Sequence, residues 1–414
     1  MVYLSIAEPI TLPCGLTLPN RLAKAAMAEN WGDKKQLPNK RLIETYGAWA
    51  DGGWGMVLTG NVQIDVAFLG SNEDNAVNEL LPYEELLTSW RQWAAVTNRN
   101  NTPTIIQLNH PGRQSLPGAG THGFGKTVAP SAVAVQLGQN IITRIISALI
   151  FGVPREMTLQ DISGVVQRFA NGARLAHDAG FAGVQIHAAH GYLLAQFLSA
   201  RTNRRTDQYG GSPKNRARIV VEIIKAIRNV VPATFCVGIK LNSVDHQSET
   251  ELGECIEQLK DICQDGLDFL EISGGSYENP TMITGKDGDG KQKSDQTALR
   301  EAFFLDFAQA IRENFKVPLM VTGGFRSRQA MESAIQSGDC DLIGIARPAV
   351  LNPALPNNVI FNKELSDNDA RLYAKSIPAS WLSRVLGMRI IGGVAAETLW
   401  YIEKMHSILD RNKP

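Results

Sequence analysis

The chain has 414 residues, of which 44% are hydrophobic, enough to bury one large α/β core or two smaller ones. Lys and Arg total 41 and Asp and Glu total 41, so no net field draws the protein to nucleic acid or to an anionic membrane. The five cysteines, Cys14, Cys236, Cys255, Cys263 and Cys340, lack C-x-x-C spacing, which argues against a disulfide framework or a cysteine-held cluster.

The first residues carry no basic region followed by a long apolar one, and no uncharged apolar run reaches membrane-spanning length. A cytoplasmic setting is expected. Ile10–Leu12 and Leu16–Leu18 flank Pro13-Cys14-Gly15 and predict a hairpin. Eight β-rich runs follow: Leu22–Met27, Gly55–Asn61, Thr104–Asn109, Gly183–His187, Phe235–Leu241, Phe269–Ile272, Leu319–Thr322 and Leu342–Ile345. Amphipathic helical patterns fall between them, near 39–51, 82–98, 158–179, 212–230, 249–264, 295–314 and 328–336. Eight parallel βα units are the number that closes a (β/α)8 TIM barrel. An open doubly wound sheet is the alternative, but no G-x-G-x-x-G follows the first strand.

The third connection is interrupted by a long excursion, Pro111 to Met157, with a glycine-rich part and an apolar part, 141–153. The predicted organisation is a barrel over 1–376 and an apolar helical extension over 377–414, which carries Trp381, Leu382, Leu386, Ile390, Ile391, Trp400 and Tyr401. Excursion and extension each offer apolar surface to a homo-oligomer.

The most informative stretch runs from Ile186 to Arg218. His187-x-x-His190-Gly191-Tyr192-Leu193-Leu194 leads into Gln196–Ser199, Asn203, Arg205–Asp207, Tyr209–Ser212 and Asn215-Arg216. This pattern closely resembles the central motif of the old yellow enzyme family of FMN-dependent NADH:flavin oxidoreductases and ene-reductases. The resemblance implies a TIM barrel of which the hairpin closes the bottom, bound FMN, and NADH or NADPH as reductant.

Functional groups of such barrels emerge at the C-terminal ends of strands. After the first strand, Ala25, Ala26, Met27 and Ala28 resemble the family segment that lies against the isoalloxazine; a merely buried strand explains small residues equally well. Asn61, at the end of the second strand, is counted with the cofactor set. By resemblance Gln107 bonds the pyrimidine edge of the flavin, and Lys240 stands where the family places a cation near N1 and C2=O. A lysine inside an apolar strand is costly unless paired, which favours a ligand-facing role. Gly323-Gly324 and Ala346-Arg347 end the seventh and eighth strands, the usual phosphate site of these barrels.

His187 and His190 resemble the pair that binds the oxygen of an electron-withdrawing group, and Tyr192 resembles the proton donor. A metal site is the competing reading of H-x-x-H, although no third ligand accompanies the pair. Tyr277, after the sixth strand, is a second phenol for the substrate pocket. Ala28 departs from the family pattern, in which a Thr or Cys bonds flavin O4. The expected activity is hydride transfer from NAD(P)H through the flavin to an activated alkene. An NAD(P)H oxidase or quinone reductase on the same site, and an FMN-holding scaffold, remain as alternatives.

Overall fold

The computed structural model describes residues 5–137, 141–242, 249–273, 307–378 and 389–411. Its centre is a parallel barrel of β1 (Leu22–Lys24), β2 (Met56–Gln63), β3 (Thr104–Asn109), β4 (Gly183–Ala188), β5 (Cys236–Asn242), β6 (Phe269–Ser273), β7 (Leu319–Thr322) and β8 (Leu342–Ile345). Each strand pairs with its sequence neighbours, and β1 pairs with both β2 and β8, so the sheet closes. The predicted strands therefore stand within a few residues of the observed ones. β1 is shorter than predicted. Past Lys24 the chain turns off after one further bond, from Ala25 N–H to Ile345 O at 2.9 Å.

The outer layer contains α1 (Lys40–Ala50), α2 (Tyr83–Thr97), α3 (Ile141–Phe151), α4 (Leu159–Ala179), α5 (Leu193–Leu198), α6 (Pro213–Arg228), α7 (Glu249–Ile262), α8 (Arg328–Gln336), α9 (Arg347–Leu351), α10 (Arg389–His406) and α11 (Ile408–Arg411). Side-chain oxygens set several starts. Asn39, Ser212 and Ser327 each accept from a backbone N–H one turn on, and Thr158 forms a reciprocal capping box with Asp161. Among the described residues no helix is long and apolar enough to cross a membrane.

Strand alternation divides the buried residues in two. Leu22, Val57, Ile106, Val184, Ile186, Val237, Ile239, Leu270, Val321 and Ile343 point outward into the helix layer. Ala23, Met56, Leu58, Ile105, Cys236, Phe269, Met320 and Leu342 point inward and form an apolar floor. The predicted hairpin pairs Ile10 with Leu18 and Thr11 with Thr17, and its Leu12 and Leu18 complete that floor from below. Above the floor the inward positions turn polar: Gln107, Gln185, Lys240 and Glu271 are all buried.

In the excursion, Val128–Ala129 pairs with Arg155–Glu156, and α3 leaves Ile141, Ile145 and Leu149 exposed at four-residue spacing. At the other end of the chain α10 and α11 fold back on the barrel. Tyr401, Met405 and Ile408 are buried, Arg41 of α1 pairs with Asp410, and His406 stacks on Trp31 with ring centroids 3.9 Å apart. Trp381, Leu382 and Leu386 lie outside the described residues.

Candidate active site

The polar inner layer begins one residue pair below the strand ends. Lys240 on β5 stands level with His187 on β4 and with Glu271 on β6. Its Nζ lies 2.9 Å from a Glu271 carboxylate oxygen, with both side chains almost wholly buried. Gln185 donates from Nε2 to the other Glu271 oxygen at 2.7 Å, and Gln107 donates from Nε2 to Gln185 Oε1 at 2.6 Å. The cost of burying Lys240 is thus met within the barrel by Glu271, a partner that the reading of Lys240 as ligand-facing did not include. Pairing answers the desolvation problem without removing the lysine from the barrel mouth.

His187 ends the inward series of β4, and its Nδ1 accepts from Ala189 N–H at 3.2 Å. That bond leaves the proton on Nε2, so the ring presents an N–H donor away from the backbone. His190 sits in the left-handed region, φ 58°, followed by Gly191 at φ 72°. Two consecutive left-handed residues make a sharp turn, and glycine carries the second of them without a Cβ penalty. Two glutamines hold the turn. Gln114 Nε2 donates to His190 O at 3.1 Å and to Gly191 O at 2.7 Å, and Gln196 Nε2 donates to Gly191 O at 2.8 Å.

The two imidazole centroids are 5.0 Å apart at 70°, and Tyr192 meets the His187 ring edge-on at 4.9 Å. His190 Nε2 is 3.3 Å from Ser273 Oγ at the end of β6, and Asn61 Nδ2 donates to the Tyr192 hydroxyl at 3.3 Å. Desolvation pushes both histidines well below their ordinary range. The neighbouring Lys240 charge acts the same way on both, and His190 adds to the effect on His187. Both rings are therefore neutral near pH 7. Among the described residues no third metal-ligating group joins this pair.

The other predicted residues fall around the same mouth. Ala25 is buried, whereas Ala26, Met27 and Ala28 are half-buried where the chain leaves β1. Lys24 points the opposite way, into the helix layer. Its Nζ donates to Leu58 O at 2.9 Å and stands 4.2 Å from the centre of the Trp49 ring. Burial lowers it to about 8, with Glu29 opposing that shift. Glu29 accepts from Tyr46 and, at 2.7 Å, from Gly60 N–H. A Cβ at Gly60 would meet Glu29 Oε2 at 2.1 Å and Met27 O at 2.2 Å, so only glycine lets β2 approach the 27–29 segment.

Gly323 and Gly324 leave β7 with φ of 122° and 83°, and Ala346 leads directly into α9. Arg347 is the first residue of that short helix, which sequence periodicity is too brief to reveal, and its Nη1 donates to Glu397 of α10. Tyr277 lies outside the described residues. Sequence reasoning missed Glu271, Gln185, Gln114 and Ser273. An acidic or amide residue in the inward phase of a strand was the available signal for the first two.

The residues present fit FMN. Thr322 Oγ1 is buried at the end of β7 with no partner among the described residues, next to the positive-φ Gly323-Gly324 turn. A carboxamide, a buried cation and an arginine converge at the same end of the barrel, a donor set suited to a ring with carbonyl oxygens and to a phosphate.

A closed βα barrel with this set at its C-terminal end belongs to the class of FMN-dependent NAD(P)H oxidoreductases. The chain is a member of the NADH:flavin oxidoreductase / NADH oxidase family, whose sequence pattern matches residues 5–367. It is 52% identical over 412 residues to an NADH-dependent flavin oxidoreductase of Talaromyces variabilis, covering 99% of each chain. A protein of the same description from Hypocrea jecorina is 47% identical over 390 residues, 94% of this chain and 97% of the relative. The fold matches a solved old yellow enzyme homologue from Zymomonas mobilis with a TM-score of 0.70 at 23% identity, over 90% and 97% of the two chains.

Proposed function

We propose that this oxidoreductase reduces an alkene activated by a carbonyl or similar electron-withdrawing group, by a ping-pong sequence. FMN, when bound, would supply the two-electron redox chemistry that links NADH or NADPH to the acceptor. Gln107 and Lys240 would hold its ring, Ala25 to Ala28 and Asn61 would lie along it, and Gly323, Gly324, Ala346 and Arg347 would hold its phosphate. Nicotinamide and acceptor use one mouth in turn, so neither substrate is bound while the other reacts.

The observation that carries this reading is the neutral pair His187 and His190 beside Tyr192. Two N–H donors aimed at one carbonyl oxygen polarise the double bond and stabilise enolate charge as it develops. A neutral imidazole does this without protonating the oxygen outright. The Tyr192 hydroxyl, held by Asn61, would carry the proton for the α-carbon. An oxidase has no need of a carbonyl clamp.

The test uses the FMN-loaded enzyme. Replacing both histidines by Ala should abolish the charge-transfer band formed with a phenol and lower enone turnover by at least ~100-fold, with FMN still bound. Turnover with oxygen should fall far less. Equal losses with enone and oxygen, or phenol binding unchanged, would reject the alkene assignment.

A further inference from the structure

The floor of the barrel, at the end opposite the site, holds a cluster of groups that the reaction does not use. Cys14 lies in the turn of the plug hairpin and is half-buried. Cys236, the first residue of β5, points into the floor and is wholly buried. Their sulfurs and an Asp268 carboxylate oxygen lie within 4.8 Å of one another. We propose that Cys14 and Cys236 form a dithiol oxidation site for hydrogen peroxide, closing as a disulfide that fastens the plug to β5.

Asp268 is already engaged. Its Oδ2 accepts from Val237 N–H at 2.7 Å and pairs with Arg228 at 2.6 Å. Two sulfurs alone fall short of the three or four protein ligands that zinc takes, whereas two sulfurs suffice for a disulfide. The pair is also asymmetric. The Cys236 thiol donates toward Cys14 and lowers its pKa, making Cys14 the more acidic of the two, while burial raises Cys236 well above the ordinary range. A half-buried, more acidic thiol backed by a fully buried one is the arrangement of an attacking and a resolving cysteine. Next to Cys14 in the turn, Gly15 takes φ 88° and a Cβ placed there would meet no heavy atom within 4 Å, so this side of the turn faces open space.

The chemistry balances. The Cys14 thiolate attacks one peroxide oxygen, forming an S–O bond and breaking the O–O bond, and the departing hydroxide takes a proton as water. The Cys236 sulfur then attacks the sulfenic sulfur of Cys14, losing its proton, and the second oxygen leaves as water. Two thiols are oxidised by two electrons and one peroxide is reduced to two waters.

The FMN-loaded enzyme is treated with hydrogen peroxide, then unfolded, alkylated and mapped by mass. The expected result is loss of two of the five alkylatable thiols. A peptide pair joining Cys14 to Cys236 should appear, and the melting temperature should rise by a few degrees, reversed by dithiothreitol. Cys14→Ser, at a half-exposed turn, should fold normally, keep enone turnover and show neither change. Cys14 driven to sulfinic acid without linkage, or pairing among Cys255, Cys263 and Cys340 instead, would overturn the proposal. So would stoichiometric zinc uptake that Cys14→Ser removes, since the cluster would then be a metal site.

Discussion

Lys240 illustrates how far a single residue can be read from sequence. Its place in an apolar strand marks it as functional, because an unpaired charge there is too costly. Its partner Glu271 sits in the equally apolar Phe269–Ser273, where only the strand phase distinguishes an inward carboxylate from an outward one. Removing one partner strands the other, at a cost of roughly 3–5 kcal/mol. We expect Lys240→Met and Glu271→Gln each to destabilise the protein by several kcal/mol and the double variant by much less than the sum, measured in a urea double-mutant cycle. His110 makes a second test. Burial pushes it down to about 4, while Asp65 opposes and Arg168 and His122 reinforce the shift. Its unfolded value is near 6.5, so as pH falls the unfolded chain takes up this proton first. Stability is therefore lost between pH 6.5 and about 4, by up to roughly 3 kcal/mol. Its Nδ1 accepts from Gly112 N–H at 2.9 Å, an acceptor that an asparagine oxygen can replace. His110→Asn should flatten that part of the stability profile, leaving the shares of the lowered His187, His190 and His406, which the raised Asp74 opposes.

Strands and long helices were legible because both obey a repeat. Leu319–Thr322 and Leu342–Ile345 were read to the residue, as was Arg328–Gln336 behind its Ser327 cap. What escaped were elements too short to repeat. α5 spans six residues and α9 five, yet α5 follows Tyr192 and α9 carries Arg347, so part of the site rests on structure without a periodic signal. Cap chemistry bears on the excursion as well. Thr158 Oγ1 accepts from Asp161 N–H at 3.1 Å while Asp161 accepts from Thr158 N–H at 2.7 Å, and Arg155 pairs with the same carboxylate. Thr158→Ala should therefore cost about 1 kcal/mol in chemical denaturation. A loss below a few tenths would mean that the Arg155–Asp161 pair alone secures the start of α4.

At the scale of the molecule, the apolar composition of the last forty or so residues predicted burial, and for Tyr401, Met405 and Ile408 burial is observed. Where the extension docks was not legible, because Trp31 and His406 carry no mark of each other in the sequence. Truncation before Pro378 should expose the Trp31 face, remove the partners of Arg41 and Arg347, and lower the melting temperature by several degrees, with aggregation visible in light scattering. The docking has a temporal side. His406 Nε2 bonds Glu29 O at 3.0 Å across 377 positions of chain, one residue beyond the Ala25–Ala28 segment. During synthesis at 5–20 residues per second, residues 25–31 leave the ribosome roughly 20–75 s before residue 406. For that interval Glu29 and Trp31 lack their contacts with His406. The contacts of the segment that carries Ala25–Ala28 are thus complete only after α10 has emerged, and we expect a chain cut before α10 to retain FMN less well than the full chain, measured by flavin absorbance after gel filtration.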